Sequence, residues 1–229
     1  MRAIVFGGTG MVGQGVLREC VLDSAVESVV SVVRRPTAPM LGRKSDKVRE
    51  VVAENLHDLS KVEGNFSGLD ACFFCAGVSS MGMKEEDYRR VTLDLTMAVA
   101  RTMLRLNPTN ESGGMTFVYV SGAGTDSSEK GRVMWARVKG ATENGLLAMA
   151  FKAAYMFRPG VIVPLHGITS KTKLYSSIYT AIRPVLPLLL RWFPQAVTTT
   201  EQVGRAMLAV VKHGYAKPVL EARDIARLG

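Results

Sequence analysis

The 229-residue sequence contains no low-complexity tract, no long run of charge of one sign and no internal repeat. These absences exclude a repeat solenoid and argue against extended disorder. Hydrophobic residues make up 47% of the chain, which is enough at this length to bury a substantial core. We therefore expect a single globular domain over residues 1–229.

Cysteine is scarce, with three residues in the chain, Cys20, Cys72 and Cys75. Cys72 and Cys75 form a CxxC inside the apolar run LDACFFCAG, and no second pair exists to complete a zinc site. A core strand is the better interpretation, and no metal site is expected. The chain opens on a strand-like run and has no export signal. Reduced cysteines without an export signal predict a cytoplasmic protein.

No uncharged apolar stretch reaches the length of about 18 residues that a membrane-spanning helix needs. The formal net charge is +9, which is compatible with phosphate-bearing ligands, nucleic acid or an anionic membrane surface. The basic residues are scattered, however, with small clusters at Arg34–Arg35 and Arg89–Arg90. No basic helix with interleaved aromatic residues is present, so nucleic-acid binding is not favoured.

Short apolar runs alternate with longer helical patterns along most of the chain. The strand-like runs are residues 2–6, 28–33, 47–53, 70–77, 116–121, 154–160 and the PVLE stretch at 218–221. Four helical patterns are present. The first follows the run at 2–6, the second covers residues 84–106, the third contains Trp135 and Lys139, and the fourth covers residues 201–213. Alternating βα units with continuous apolar strands predict an α/β fold, a Rossmann-type doubly wound parallel sheet with helices on both faces. The proline-interrupted residues 161–200 predict a small carboxyl-terminal cap on the substrate side.

The glycine-rich stretch GGTGMVG follows the first strand directly and opens the first helix. A tight turn of this kind lets the backbone approach a pyrophosphate, to which the helix amino terminus presents free N–H groups. The strand–turn–helix context predicts a dinucleotide-binding site. Its predicted residues are Gly7, Thr9, Gly10, Met11, Val12 and Gly13.

The end of the second strand, VVRRPT, indicates which dinucleotide is preferred. No carboxylate stands where an NAD site usually places one for the ribose 2′-hydroxyl. Arg34 and Arg35 instead offer planar, charged donors that suit a 2′-phosphate. The sequence therefore predicts NADP(H) in preference to NAD(H). The alternative is a solvated arginine pair at a strand end.

Together with these two motifs, five short segments resemble the short-chain dehydrogenase/reductase superfamily. They are HDL at 57–59, FCAG at 74–77, VYVSGAG at 118–124, WARVKG at 135–140 and FRPGV at 157–161. The resemblance covers almost the whole chain. It is closest to the atypical NAD(P)-binding branch that includes the HIV Tat-interacting protein 2-like oxidoreductases.

The resemblance implies further contacts with the cofactor. The positions concerned are Asp58 and Leu59 beside the adenine, Cys75, Ala76 and Gly77 along the ribose, and Pro159, Gly160 and Val161 at the nicotinamide. Lys139 would hydrogen-bond the nicotinamide ribose. The alternatives are a turn capped by Asp58 and a strand that simply ends at Phe74–Gly77.

The catalytic acid expected from the resemblance is missing. In active members a tyrosine four residues before the lysine exchanges a proton with the substrate oxygen, and a serine polarises that oxygen. Here Trp135 holds the place of the tyrosine, and an indole N–H cannot usefully lose its proton. Ser121 and Lys139 are the predicted catalytic residues, although Gly122 stands where a second serine is common. The alternative sources of the proton are a water chain and three tyrosines, Tyr88, Tyr119 and Tyr155.

Two hypotheses of function follow. The first is an NADP(H)-binding oxidoreductase or epimerase-like enzyme that acts on a small carbonyl or sugar-like substrate of unknown identity. The second, suggested by Trp135, is a catalytically impaired NADP(H)-sensing regulatory or interaction module. The apolar residues 174–194 are interpreted as a pocket wall or a packed helix. Contact of this segment with a membrane surface is a third, less favoured hypothesis.

Overall fold

A computed structural model of the chain describes residues 1–37, 45–109, 113–168 and 197–229. The strands are β1 (Arg2–Phe6), β2 (Ser28–Val33), β3 (Val48–Val52), β4 (Ala71–Phe74), β5 (Thr116–Val120), β6 (Ala153–Arg158), β7 (Val161–Val163), β8 (Val197–Thr199) and β9 (Val219–Glu221). The helices are α1 (Met11–Leu22), α2 (Glu85–Arg89), α3 (Leu95–Leu106), α4 (Met134–Leu147), α5 (Thr200–His213) and α6 (Ala222–Leu228). A π-helical turn, Arg90–Asp94, joins α2 to α3, and a 3₁₀ turn covers Glu63–Asn65.

Seven strands form one parallel sheet in the order β3-β2-β1-β4-β5-β6-β9. The chain runs outward from β1 to β3 and then returns to β4 on the other side of β1. The order therefore reverses between β1 and β4, which is where doubly wound folds bind ligands at the carboxyl edge of the sheet. The predicted α/β fold is confirmed.

Two clusters of buried side chains lie on opposite faces of the sheet. Val5 and Phe73 belong to the cluster beneath α1, α5 and α6. Phe6 and Phe74 belong to the cluster beneath α3 and α4, where their rings stack with centroids 5.7 Å apart. Neighbouring residues of a strand point to opposite faces, so a strand covered on both sides must be apolar throughout. Cys72 lies fully buried on β4, as the core-strand interpretation of the CxxC predicted.

The described ends of the predicted cap, residues 161–168 and 197–200, form a separate two-stranded parallel sheet of β7 and β8. The sequence did not predict this pairing. The apolar residues 174–194 lie outside the described residues. In the ranges that the structure describes, no helix combines the length and apolarity needed to cross a membrane.

Helices α1 and α5 pack closely through Gly15 on the first helix. A Cβ at Gly15 would lie 2.6 Å from the carbonyl oxygen of Thr200, which is closer than packed atoms allow. The start of α5 is fixed by a capping box, in which the Thr199 hydroxyl accepts from the Gln202 N–H at 3.0 Å and the Gln202 side chain accepts from the Thr199 N–H at 3.0 Å. Gly15 therefore faces backbone that cannot easily shift.

We expect Gly15→Ala to destabilise the protein by about 1–3 kcal/mol, because the added methyl overpacks the contact between α1 and α5. Urea denaturation measures the loss. Gly64→Ala is the matched control, because a Cβ at Gly64 meets no atom within 4 Å among the described residues. Equal unfolding midpoints for the two variants would contradict the close helix contact.

Candidate functional site

The glycine-rich turn connects β1 to α1 at the carboxyl edge of the sheet. Gly7 has φ +81°, and a Cβ there would lie 2.5 Å from the backbone nitrogen of Ala76. A Cβ at Gly13 would lie 2.2 Å from the carbonyl oxygen of Gly7. Glycine at these two positions lets the turn, the first helix and the loop after β4 come together.

The amino terminus of α1 has the features of a phosphate site. Its N-cap residue is Gly10, no described side chain caps it, and its first turn contains no acidic residue. A Cβ at Gly10 would find only the Gly7 carbonyl oxygen, at 3.3 Å, within 4 Å of it among the described atoms. The first N–H groups of a helix lack partners within the helix and carry a partial positive charge. The turn Gly7–Gly13 therefore fits the pyrophosphate of a dinucleotide.

A cavity of about 780 Å³ opens beside this turn. The residues that line it are Thr9, Arg34, Arg35, Pro36, Thr37 and Glu54. Both arginines are exposed, so the structure brings the predicted 2′-phosphate donors to the glycine turn. Glu54, just beyond β3, also lines the cavity, and the sequence analysis missed it because only the adjacency of β2 and β3 brings it there.

The segments that the resemblance places at the cofactor, Asp58–Leu59 and Cys75–Gly77, differ in their contacts and burial. Cys75 follows β4, and its N–H donates to the Phe6 carbonyl at 2.9 Å, which places Cys75–Gly77 against the glycine turn. The carboxylate of Asp58 accepts from the Ser60 N–H at 3.0 Å, and this hydrogen bond lowers the pKa of Asp58. Asp58 therefore caps a turn. The side chain of Leu59 is buried in the core.

The carboxyl ends of β5 and β6 form the other side of the site. The Ala123 N–H donates to the Pro159 carbonyl at 2.9 Å, so the loop after β5 lies against the turn after β6. Val161, two residues after Pro159, is 52% exposed. Pro159 and Val161 therefore lie at the carboxyl edge of the sheet, on the β6 side.

A buried carboxylate joins these strand ends to α4. Glu143 is fully buried, and its Oε1 accepts from the Ser121 hydroxyl at 2.5 Å and from Arg158 Nε at 3.0 Å. A second guanidinium nitrogen of Arg158 donates to Glu143 Oε2. Arg158 also pairs with Glu221 of β9 at 3.2 Å, and the carboxylate of Glu143 raises the pKa of Arg158. The Ser121 hydroxyl therefore donates its hydrogen bond within the protein, to Glu143 or to the Phe157 carbonyl at 3.1 Å, and its role toward a substrate stays a prediction.

Lys139 lies one helical turn before Glu143, and its ammonium donates to the carbonyl oxygen of Ser121 at the end of β5. Burial lowers the pKa of Lys139 to about 8, and the nearby Glu143 carboxylate opposes that change. Trp135 lies one turn earlier on α4. A Cβ at Gly124 would be 3.6 Å from Trp135 Cη2, so the indole lies close to the loop after β5.

The three tyrosines considered as replacement acids have other surroundings. Tyr119 lies in the core with its ring 6.0 Å from that of Phe74, and burial raises its pKa far above the usual value. Tyr88 is buried on α2, and burial raises its pKa as well. Tyr155 accepts from the Tyr215 N–H at 2.9 Å in the cluster beneath α5. Within the described ranges, no group of three metal-ligating side chains is present.

Known proteins similar to this chain indicate its family. The pattern of the NAD dependent epimerase/dehydratase family matches residues 3–130. The chain is 30% identical over 165 residues to Protein FMP52, mitochondrial, of Eremothecium gossypii, which is 71% of this chain and 67% of that protein.

Two solved structures are similar in fold. The PhqB reductase domain from Penicillium fellutanum has a TM-score of 0.68 and 16% identity over 96% of this chain and 65% of that one. The dTDP-glucose 4,6-dehydratase DesIV from Streptomyces venezuelae, with NAD and TYD bound, has a TM-score of 0.64 and 15% identity over 99% of this chain and 79% of that one. The chain thus spans about two thirds of the length of the FMP52 relative and of the PhqB structure.

These relatives overturn the prediction of a cytoplasmic protein. FMP52 proteins of Eremothecium gossypii, Debaryomyces hansenii and Emericella nidulans are all named as mitochondrial. The prediction rested on reduced cysteines, which do not distinguish the cytosol from other reducing compartments.

We expect Arg158→Met to destabilise the protein by about 3–5 kcal/mol, because it leaves the buried Glu143 carboxylate without its counter-charge. Arg105→Met is the matched control, because Arg105 is 59% exposed and pairs with Glu63 at the surface. That change should cost less than about 1 kcal/mol. Urea denaturation compares the two, and equal losses would contradict the importance of the buried pair.

Proposed function

The chain belongs to the NAD dependent epimerase/dehydratase family, and on that premise we propose that it is an NADP(H)-dependent oxidoreductase that reduces a small carbonyl compound. The observation that carries this proposal is the uncapped amino terminus of α1 beside a cavity lined by Arg34 and Arg35. We further propose that the chain lies in the atypical branch of the short-chain dehydrogenase/reductase superfamily, on its Arg34–Arg35 strand end and its WARVKG helix.

The residues of the site divide between the two halves of the cofactor. The N–H groups of Met11, Val12 and Gly13 would hold the pyrophosphate, and Thr9 would line the same side. The loop Cys75–Gly77 would follow the ribose. Lys139 and the turn Pro159–Val161 would hold the nicotinamide end. When bound, the cofactor supplies hydride transfer at the nicotinamide, and the protein supplies position and charge.

The charges of the second strand end support NADP(H) over NAD(H). The 2′-phosphate adds negative charge, and Arg34 and Arg35 are exposed at the cavity with no side-chain partner among the described residues. Glu54 is a carboxylate on the same cavity, but two guanidinium groups leave the cavity net positive. Glu50 is engaged by Thr37, whose N–H donates to its Oε1 at 3.0 Å. Charge complementarity therefore favours the phosphorylated cofactor.

The rim of the substrate side favours an apolar carbonyl over a sugar. Four exposed apolar side chains adjoin the carboxyl edge on the side of β4, β5 and β6: Val78, Met81, Val133 and Val161. Each is more than half exposed. A sugar would require hydrogen-bonding groups at these places, whereas an alkyl or aryl carbonyl would cover apolar surface. The similarity to the PhqB reductase domain supports reduction as the reaction.

One observation favours a second function. Trp135 stands in the place of the usual acid, and this favours an NADP(H) sensor whose surface responds to cofactor binding. Under this alternative, NADPH binds without turnover. Steady NADPH consumption with an added carbonyl would exclude it.

The names of the FMP52 relatives support a mitochondrial location for either function. Fractionation of cells that express the protein tests this location.

Calorimetric titration tests the cofactor assignment. We expect the protein to bind NADPH more tightly than NADH. In the double variant Arg34→Met/Arg35→Met, the affinity for NADPH should fall by about 10- to 100-fold, because hydrogen bonds to charged groups contribute about 1.5–3 kcal/mol. The affinity for NADH should change little.

Arg101→Met is the control for this titration, because Arg101 is an exposed arginine on α3 away from the cavity. It should bind both cofactors as the unmodified protein does. Equal affinity for NADPH and NADH in the unmodified protein would overturn the preference. Absence of binding to either cofactor would overturn the proposed function.

A further inference from the structure

We propose that Lys139 is the general acid of this site and gives its own proton to the substrate oxygen, in the place of the missing tyrosine. This inference rests on the proposed function. A lysine that only holds the cofactor ribose would not transfer a proton to the substrate.

Among the residues that the structure describes, the other candidate donors near Lys139 are unsuitable. The indole N–H of Trp135 does not ionise in the range where proteins work. The hydroxyl of Ser121 has one proton, and two acceptors within the protein lie in reach of it, Glu143 Oε1 at 2.5 Å and the Phe157 carbonyl oxygen at 3.1 Å. Tyr119 and Tyr88 are 2% exposed in the interior, and Tyr155 is buried in the cluster on the opposite face of the sheet.

The ammonium of Lys139 lies at the carboxyl edge of the sheet. It donates to the Ser121 carbonyl oxygen at the carboxyl end of β5, on the edge of the sheet where the glycine turn also lies. An ammonium has three N–H donors, and the Ser121 carbonyl is the one acceptor that the described residues supply to it. Two N–H groups are left for ligands. One can hold the ribose while another faces the substrate oxygen.

The surroundings of Lys139 allow it to lose a proton near neutral pH. Burial lowers its pKa to about 8, and a general acid works best when its pKa is near the working pH. The charged group that acts on it is Glu143 of α4, which is paired with Arg158 of β6. On the neighbouring α2, Glu85 is paired with Arg137 at 2.6 Å. Tyr88 and Tyr119 stay neutral, because burial raises both pKa values.

With NADPH held at the site, its nicotinamide would supply a hydride to the carbonyl carbon, and the π electron pair of the carbonyl would move to the carbonyl oxygen. That oxygen takes a proton from the Lys139 ammonium and becomes a hydroxyl, while Lys139 becomes a neutral amine. Solvent then returns a proton to the amine. The carbonyl is reduced to an alcohol, and NADPH is oxidised to NADP⁺.

The sign of the pH dependence follows from the form that reacts. The charged ammonium is the donor, so turnover is present below the pKa of Lys139 and is lost as pH rises through about 8. We expect kcat for oxidation of NADPH with 4-nitrobenzaldehyde, an apolar aromatic carbonyl, to fall tenfold per pH unit above this point. A kcat that is constant to pH 10 would overturn the proposal, as would absence of turnover in a protein that binds NADPH.

Lys139→Arg separates proton transfer from binding. Arginine keeps the positive charge and the donors but does not deprotonate in proteins. We expect this variant to bind NADPH within about threefold of the unmodified protein and to lose about 100-fold or more in kcat, since general acid catalysis contributes about 10²–10⁴-fold. Lys139→Met should lose both binding and turnover. Lys152→Met is the matched control, because Lys152 is exposed at the opposite, amino-terminal edge of β6.

Trp135→Tyr supplies a phenol that can transfer a proton. In the double variant Trp135→Tyr/Lys139→Arg, we expect kcat to recover at least tenfold over Lys139→Arg. If Trp135→Tyr alone is active but the double variant does not recover, the loss in Lys139→Arg is positional and the proposal fails.

A measurement without substrate gives a separate readout. Competitive acetylation with acetic anhydride, followed by mass spectrometry of the Lys139 peptide, reports the pKa of this amine directly. Half-maximal reactivity near pH 8, reduced by NADPH, supports the proposal. A value near 10 overturns it. If calorimetry instead detects no NADPH binding, the proposed function fails first, so the two failures are distinguishable.

Discussion

The pairing of Glu143 with Arg158 is the interaction on which the substrate side of the site depends. A carboxylate with no exposed surface must be neutralised where it lies, because an unpaired buried charge is unstable. Glu143 is on α4, Arg158 ends β6, and the same two groups reach Ser121 at the end of β5 and Glu221 of β9. One ion pair thus connects a helix to three neighbouring strand ends. It fixes the position of α4, and with it the positions of Trp135 and Lys139 at the carboxyl edge.

The cofactor side depends on a different constraint, the absence of side chains. Gly7 and Gly13 allow backbone from β1, α1 and the loop after β4 to meet at distances that no Cβ would allow. The result is an uncapped helix terminus at the point where the strand order reverses. The turn Gly7–Gly13 therefore offers a phosphate both the partial positive charge of a helix terminus and the space to approach it. The exposed Arg34 and Arg35 add charge without affecting this packing.

The sequence predicted those features whose cause is local. Continuous apolar runs located the central strands, because a parallel strand covered on both faces has no solvent-facing side. The glycine turn was predictable because part of its spacing is local, since Gly13 lies against the Gly7 carbonyl six residues earlier, whereas the contact of Gly7 with Ala76 was not visible in the sequence. Contacts between distant segments were not predictable in this way. Gly15 meets Thr200, and Glu143 meets Arg158, only because of how the helices and strands are arranged in space. The pairing of β7 with β8 has the same origin. Asp58 accepts a local hydrogen bond from the Ser60 N–H, and its contact with the adenine stays a prediction.

The chemistry of Lys139 follows from the competition between burial and one neighbouring charge. Burial favours the neutral amine, and a carboxylate one turn away favours the ammonium. Were Glu143 unpaired, its full negative charge would act on Lys139 and hold the proton more firmly. Arg158 takes up much of that charge through hydrogen bonds to both carboxylate oxygens. Burial therefore prevails, and the pKa falls toward neutrality instead of rising. Burial thus has opposite effects on two neighbouring groups, since it lowers the pKa of the Lys139 ammonium toward neutrality and raises the pKa of Tyr119 far above its usual value.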